Sequence, residues 1–196
     1  MIKYKKCSGG DNLDIFKKAL NYAYDAHLNQ RRKNGGLYIF HPLEVSIIAS
    51  QMTSDMDVIV ASLLHDTIED TDVKKEDIEK EFGKNVLELV LSETEDKMPG
   101  ISKEKSWRER KEKSLELLKN TKDIRIKILW LSDKLSNLRS FYKEFLSVGL
   151  DVFKLCNQKD PLEQKWYYYK VYEYTSELKD YMAYKEYESL LDKMFK

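Results

Sequence analysis

Apolar residues recur at steps of three and four along most of this chain, the spacing that places them on one face of an α-helix. The first such run follows Asp11, a residue type that caps helix N-termini. Its members are Leu13, Phe16, Leu20, Ala23 and His27. No stretch has the alternating β-branched residues that indicate a strand, and only seven Gly and three Pro interrupt the pattern. The sequence therefore predicts an all-α fold.

Residues that start and stop helices mark the further elements. Pro42 suits the first residue of a second helix that reaches about residue 52. A third helix, over about 56–69, is apolar nearly all round, which indicates a central, buried position. Gly83 ends a short charged helix at 74–82. The remaining predicted helices span about 85–93, 105–118 and 123–145, and another starts at Asp160–Pro161.

The composition narrows the function classes. With 34 Lys and Arg against 34 Asp and Glu in 196 residues, the usual electrostatic case for a nucleic-acid binder is removed. No apolar run approaches the roughly 20 residues that span a bilayer, and the N-terminus does not resemble a signal peptide. Cys7 and Cys156 lie far apart, without CxxC spacing. We expect one domain over residues 1–196 in the reducing cytoplasm, with both thiols free and no membrane partner.

Several residues that are costly to bury lie in apolar segments. His65-Asp66 comes near the end of the predicted buried helix, His41 precedes Pro42, and Asp133 lies inside the stretch ILWLSDKLSNL. A buried carboxylate costs several kcal/mol unless it is paired or binds a metal. Two imidazoles and two carboxylates that converge suit a borderline-hard cation such as Mn, Fe, Co or Zn. The residues alone leave a metal site and ordinary hydrogen-bonded polar groups equally open.

The order and spacing of five motifs add a resemblance to a known family. The motifs are HLNQRRK at 27–33, YIFHP at 38–42, LLHDTIEDT at 63–71, FG at 82–83 and LSDKLSNLR at 131–139. In this order they resemble the HD-domain hydrolases of the RelA/SpoT type, and most closely the stand-alone small alarmone hydrolases. The resemblance covers roughly residues 11–146, the expected core of the domain.

This resemblance implies an all-helical domain that holds one divalent metal ion, usually Mn²⁺, and removes the 3′-pyrophosphate of ppGpp or pppGpp. By motif, the implied metal ligands are His41, His65, Asp66 and Asp133. A metal ion lowers the pKa of bound water and polarises a phosphoryl oxygen, chemistry that fits this residue set. We therefore expect a metal-dependent hydrolase whose partner is a small nucleotide.

The same motifs imply roles for nearby polar residues. Glu69 and Asp70 match an acidic pair that acts on the attacking water, and acids at the end of a helix are otherwise unfavourable. Arg32 and Lys33 match basic residues near the nucleotide, whose charge they would offset. Asn137 matches a polar residue beside the sugar. The alternatives are a solvated basic loop at 31–33 and a helix surface pair formed by Asn137 and Arg139.

Other charged and polar positions are assigned structural roles. His27 completes an apolar helix stripe, so we expect packing rather than metal ligation. The charge run at 103–113 is expected to be an exposed helix face, with Trp107, Leu115 and Leu118 turned inward. The loop at 95–97 is a candidate border of the active site.

The C-terminal part, about 150–196, matches the family poorly. Residues 166–187 hold eight of the 13 tyrosines. We expect a helical extension whose rings pack over the core with their hydroxyls at the surface; a dimer face of a homo-oligomer, or a lid, is the alternative. This divergence leaves two other functions open, an HD phosphohydrolase acting on another nucleotide or phosphate ester and a non-catalytic nucleotide-binding module.

Overall fold

The computed structural model describes residues 10–33, 35–95 and 100–196. This part of the chain is helical, and the only extended pairing within it is an isolated bridge between Arg31 and Leu37. The prediction of an all-α fold is therefore confirmed. Three predicted features, the cap formed by the Asp11 side chain, the thiol of Cys7 and the loop positions 96–97, lie outside this description.

Ten α-helices follow one another along the described residues. They are α1 (Gly10–Ala26), α2 (Phe40–Ser50), α3 (Met56–Leu64), α4 (Thr67–Asp70), α5 (Lys75–Phe82), α6 (Lys84–Glu93), α7 (Trp107–Asn120), α8 (Ile124–Val148), α9 (Pro161–Tyr174) and α10 (Met182–Phe195). Two 3₁₀ segments, Gly149–Leu155 and Ser176–Leu178, lie before and after α9. None of these helices is both long and apolar enough to cross a membrane.

The third helix is the centre of the bundle, as its apolar sequence predicts. Every residue from Val58 to Leu64 is buried, and α3 packs against α1, α2, α6 and α8. A helix that is apolar on all sides gains from burial on all sides, so α3 is enclosed by its neighbours. The side chains at its C-terminal end are consequently held inside the protein.

The same helix ends earlier than predicted, at Leu64 rather than at about residue 69. Asp66 has φ −90° and ψ −7°, which departs from α-helical geometry. The hydroxyl of Thr67 donates a hydrogen bond to the carbonyl oxygen of Leu64 at 2.6 Å, which takes the place of a backbone donor. The chain therefore turns at His65 and Asp66 and resumes as the short helix α4.

Most other boundaries agree with the predicted caps. The side chain of Asp160 accepts a hydrogen bond from the backbone N–H of Leu162, and Pro161 is the first residue of α9. Asp123 caps α8 in the same way. Gly83 ends α5 with φ +88°, a conformation that favours glycine. The second helix begins two residues earlier than predicted, at Phe40, so Pro42 is its third residue; this position is still in the first turn, where the missing N–H costs no hydrogen bond.

The tyrosine-rich segment forms two helices, α9 and α10, rather than one. Tyr168 and Tyr187 are among the rings buried in the main core, which confirms that the segment packs over it. The expectation that the hydroxyls stay at the surface is wrong for three of the rings, Tyr167, Tyr184 and Tyr187. The Tyr187 hydroxyl donates to the carbonyl oxygen of Tyr168 at 3.1 Å, and the Tyr184 hydroxyl donates to that of Tyr172 at 3.0 Å. The Tyr184 and Tyr187 hydroxyls therefore have acceptors on α9, whereas the buried Tyr167 hydroxyl has no hydrogen-bond partner among the described residues.

Replacing Tyr187 tests whether the C-terminal helices stabilise the core. We expect Tyr187→Ala to lower the free energy of unfolding by about 3–5 kcal/mol, because a fully buried ring is lost. Tyr187→Phe, which removes only the hydrogen bond, is expected to cost about 1 kcal/mol. Urea unfolding measures both values. Tyr24→Ala, at an exposed ring, is the control and should stay within about 0.5 kcal/mol of the parent.

Candidate metal centre and active-site cleft

Three helices bring two imidazoles and one carboxylate to a single point. His41 lies in the first turn of α2, His65 directly follows α3, and Asp133 lies in the middle of α8. The Nε2 atom of His41 is 3.0 Å from Asp133 Oδ1, and His65 Nε2 is 3.6 Å from the same oxygen. The three ligand atoms lie within 4.8 Å of one another, and all three residues are buried. Such a group can hold a metal ion.

Asp66 stands at the solvent side of this group. Its Oδ2 atom is 3.2 Å from His65 Nε2 and 3.5 Å from His41 Nε2. Its side chain is 21% exposed, against 4% for Asp133. The four side chains predicted as ligands are therefore neighbours, although they lie as far apart as positions 41 and 133 in the sequence.

The hydrogen bonds of His65 show that the donor set fits a cation. Its Nδ1 atom lies 2.9 Å from the carbonyl oxygen of Ser62, which can only accept, so Nδ1 carries the proton. In the neutral ring, Nε2 then presents a lone pair. Among the described residues this buried atom has no hydrogen-bond partner, although two carboxylates lie close to it. A lone pair facing carboxylate oxygens is repulsive unless a cation lies between them, and either a proton on Nε2 or a divalent metal ion can be that cation.

The pKa values of these histidines and aspartates are shifted because their side chains lie close together inside the protein. Burial lowers the pKa of His65, but the carboxylates of Asp66 and Asp133 outweigh burial and raise it well above its ordinary value. Burial raises the pKa of Asp133, but Lys134 and the two histidines more than offset this and hold it well below its ordinary value. The aspartates are thus ionised at neutral pH, the state in which they bind metals.

Two charged residues beside Asp133 were missed by the sequence reasoning. Lys134 forms an ion pair with Asp133 Oδ2, and its Nζ atom is 3.1 Å from Glu93 Oε2. Burial raises the pKa of Glu93 to about 7, against the opposing effect of Lys134. Lys134 follows Asp133 in the quoted motif, but only the fold places Glu93 of α6 next to it. The free carboxylate oxygen of Asp133 is therefore held by a cation.

The acidic pair lies on α4, beside the metal group. The hydroxyl of Tyr38 donates to Asp66 Oδ2 at 2.7 Å, and Asp70 Oδ2 lies 3.1 Å from the same hydroxyl oxygen. Glu69 Oε2 accepts from the backbone N–H of Glu95 at 3.1 Å. Burial raises the pKa of Glu69, and the neighbouring carboxylates add to the effect. Tyr38, like Lys134, lies in one of the family motifs, but the sequence alone predicted no role for it.

The predicted substrate residues lie at the side of the centre. Arg32 Nη2 donates to Asn137 Oδ1 at 2.9 Å, and Asn137 Nδ2 donates to Asp133 Oδ1 at 2.7 Å. Lys33 is more distant from this group, since its Nζ donates to the carbonyl oxygen of Leu155 at 2.7 Å. The fold therefore connects Arg32 and Asn137 to the ligands, and places Lys33 farther along the same wall.

The prediction that the charge run at 103–113 is an exposed helix face is wrong for two of its residues. Trp107, Leu115 and Leu118 are buried as predicted, but the run is not simply an exposed face. The side chains of Arg110 and Lys111 are only 11% and 18% exposed, and both form ion pairs with Glu95. Glu95 comes from the loop predicted to border the site, and its carboxylate holds both cations inward. This pairing carries no local sequence signal, because it joins the loop to α7.

Two adjoining cavities open over these residues. The first, of about 490 Å³, is lined by the acidic pair, three of the proposed ligands and several cations of α7 and α8. The second, of about 460 Å³, lies on the other side of Arg32 and Asn137 and is lined in part by Phe141, Leu155 and Tyr168. The cleft thus has a polar half beside the metal group and an apolar half beside the C-terminal segment.

The buried His27 lies next to the centre but outside it. Its Nδ1 atom lies 2.8 Å from Gln30 Oε1, and its ring stacks on Tyr38 with 4.5 Å between the ring centroids. It is not part of the metal-ligand group found among the described residues. This geometry agrees with a packing role for His27.

Comparison with known proteins agrees with this geometry. A family model for the HD domain matches residues 19–158. A guanosine-3′,5′-bis(diphosphate) 3′-pyrophosphohydrolase of Vibrio cholerae is 37% identical over 135 residues, which cover 65% of this chain and 18% of the relative. One of Aquifex aeolicus with the same description is 38% identical over 127 residues, again 18% of its length. The chain thus spans about a fifth of the length of these relatives.

Solved structures match over more of their length. The protein lmo0812 of Listeria monocytogenes EGD-e is 32% identical, with a TM-score of 0.68 over 79% of this chain and 98% of that one. A protein described as a metazoan ortholog of SpoT that hydrolyzes ppGpp is 28% identical, with a TM-score of 0.66 over 99% and 97%. The family model covers well over half of the chain, so this protein belongs to the HD-domain family.

Removing a proposed ligand tests the metal centre. We expect Asp133→Ala to lose bound divalent metal, because it removes a buried carboxylate that faces both imidazoles. His65→Ala and Asp66→Ala are expected to do the same. Elemental analysis after equilibration with Mn²⁺ and desalting measures the metal content. Asp151→Ala, at an exposed aspartate, is the control; metal retained in Asp133→Ala at the control level would contradict the assignment.

Proposed function

We propose that this protein is a divalent-metal-dependent hydrolase that removes the 3′-pyrophosphate from guanosine 3′,5′-bis(diphosphate) or its triphosphate analogue. The observation that carries the proposal is the convergence of two imidazoles and two aspartates at the floor of a cleft with cationic walls. The printed names of the relatives support the same reaction and substrate. We further propose one ion per chain, with Mn²⁺ as the first candidate.

In this proposal His41, His65, Asp66 and Asp133 hold the metal ion. A divalent ion supplies a Lewis acid that polarises the phosphoryl group and lowers the pKa of water. The contribution of the protein is to fix the ligands, and the Nδ1 contact of His65 and the ion pair of Asp133 do this here. The reaction adds water across the bond between the ribose 3′-oxygen and phosphorus, so the products are pyrophosphate and GDP or GTP.

Glu69 and Asp70 act on the attacking water. Both line the polar cavity, and Asp70 is linked through the Tyr38 hydroxyl to the proposed ligand Asp66. A general base works best when its pKa lies near the operating pH, and burial moves the pKa of Glu69 in that direction. Glu69 therefore takes the proton of the water, while Asp70 orients it.

The two halves of the cleft match the two halves of a nucleotide. Arg110, Lys111 and Lys134 line the polar cavity and offset the charge of a pyrophosphate group beside the metal ligands. Phe141 and Tyr168 offer aromatic surface in the second cavity, where a base can stack. Arg32 lies between the halves and can reach either the base or a phosphate.

A direct assay tests the proposed reaction. We expect the purified protein with Mn²⁺ to release pyrophosphate from ppGpp, and the protein treated with a chelator to release none. A panel of other nucleotides and phosphate esters is assayed in parallel. Turnover of another substrate that is faster by orders of magnitude would assign a different HD phosphohydrolase activity. Nucleotide binding without any turnover would indicate a binding module instead.

Glu69→Gln separates the proton acceptor from the metal ligands. We expect this variant to retain its metal and to lose about 100-fold or more in kcat, the usual contribution of a general base. Turnover and metal content are measured on the same preparation. Loss of the metal would contradict the role given to Glu69. Glu88→Gln, at an exposed position of α6, serves as the control.

Arg32→Ala tests the substrate contact. We expect KM to rise roughly 10-fold or more, because a hydrogen bond to a charged group contributes about 1.5–3 kcal/mol. Steady-state kinetics with ppGpp provides the measurement. Arg125→Ala removes an arginine that pairs with Asp123 away from both cavities. An equal rise of KM in both variants would argue against a specific contact of Arg32.

A further inference from the structure

We infer that Glu44, acting through Ser136, is a positioning residue that fixes the proton of His41 on Nδ1 and so leaves Nε2 free for the metal. This inference rests on the proposed metal site. It goes beyond it, because neither residue touches the ligand atoms and nothing in the quoted motifs assigns them a role. The basis is a chain of short contacts that joins α2 to α8 on the far side of the His41 ring.

The first contact lies between His41 and Ser136. The Nδ1 atom of His41 is 2.9 Å from the Ser136 hydroxyl oxygen, and both residues are buried. A serine hydroxyl can donate or accept, so this contact alone does not decide which ring nitrogen carries the proton. If the hydroxyl donated to Nδ1, the proton of the neutral ring would lie on Nε2, where it would block metal binding.

The second contact removes this ambiguity. The Ser136 hydroxyl lies 2.8 Å from Glu44 Oε2, and an ionised carboxylate can only accept. The single proton of the hydroxyl therefore points to Glu44, and the serine oxygen accepts from His41 Nδ1–H. Nε2 is left with its lone pair toward Asp133 Oδ1, 3.0 Å away. Without Glu44 the hydroxyl can turn toward His41, and the other tautomer becomes available.

The third contact holds Glu44 in place. Arg139 Nη1 donates to Glu44 Oε1 at 2.9 Å, so the two carboxylate oxygens have different, fixed partners. The remaining donors of the same guanidinium bind Glu186 of α10 at 2.7 and 2.6 Å. Because an arginine can only donate, it holds Glu44 Oε1 and orients the carboxylate so that Oε2 faces Ser136. The C-terminal helix thus anchors the far end of the chain of contacts.

Helix α8 contacts both nitrogen atoms of the His41 ring. Asp133 faces the Nε2 atom of His41. Ser136, which lies one turn later on α8, faces the Nδ1 atom of the same ring. Residues three apart on a helix lie on the same face, which explains how both can meet one ring. The protons of the two histidines are therefore positioned in different ways. A backbone carbonyl positions that of His65, and the contacts from Ser136 to Glu44, called the relay below, position that of His41.

Metal affinity measured by competition with a chelator tests the relay. We expect Ser136→Ala and Glu44→Ala to weaken Mn²⁺ binding by about 10-fold or more, as is typical when a partner of a ligating histidine is lost. Ser132→Ala is the matched control for the first, since this serine is equally buried one turn earlier and donates to the Ile128 carbonyl oxygen. Glu163→Ala is the control for the second, because Glu163 also pairs with an arginine at a similar exposure. Both controls should bind Mn²⁺ as the parent does.

A second measurement separates positioning from a general loss of structure. Long-range ¹H–¹⁵N NMR of the metal-free full-length chain at mildly alkaline pH reports which ring nitrogen carries the proton, and the chain has only three histidines. We expect the share of His41 that carries its proton on Nε2 to be higher in Glu44→Ala than in the parent protein, because the Ser136 hydroxyl can then turn toward Nδ1. The Nδ1–H form of His65 should be unchanged, because a carbonyl oxygen fixes it.

The outcomes distinguish this inference from the proposed function. Parent-like affinity in both relay variants, or an Nε2–H share of His41 that does not rise in Glu44→Ala, would overturn the inference and leave the metal site standing. An equal loss of affinity in the two controls would overturn it as well, because the effect would then be general. A parent protein that binds no divalent ion would instead refute the metal site itself.

Discussion

A buried carboxylate on α8 is the constraint around which the site is built. Asp133 lies in an apolar helix with its side chain only 4% exposed, where an uncompensated charge would cost several kcal/mol. Its Oδ1 atom faces His41 and accepts from Asn137, and its Oδ2 atom pairs with Lys134. Each of these three partners also makes a polar contact with another side chain. The polar network is therefore the means by which this bundle tolerates the charge at its centre.

The apolar core determines where that network forms. The buried helix α3 packs against α2 and α8, and the three helices deliver His65, His41 and Asp133 to one point. Because the interior is close-packed, the approach of the helices is fixed by side chains that take no part in the chemistry. A rigid scaffold with ligands on three different helices suits a metal centre, since the ligand atoms are positioned before the ion arrives.

Helical periodicity could be recognised from the sequence, but contacts between helices could not. The spacing of apolar residues predicts most elements, and the motif order predicts a ligand set whose members the fold brings together. The early end of α3 was missed because it depends on Thr67, whose hydroxyl takes a backbone acceptor. The inward position of Arg110 was missed because a long charged side chain looks solvated until its partner Glu95 is known. Glu44 and Ser136 lie on different helices, and no local pattern relates them.

The C-terminal helices α9 and α10, whose sequence resembles the family least, contact residues around the proposed metal centre. Tyr168 of α9 forms part of the wall of the apolar cavity, and Glu186 of α10 binds the arginine that holds Glu44. The proposed metal ligands lie on α2, directly after α3 and on α8, within the part matched by the family model. It follows that the extension contributes to the shape of the cleft and to the support of His41 rather than to the ligand set. Changes in this segment can therefore alter the shape of the cleft while His41, His65, Asp66 and Asp133 stay in place.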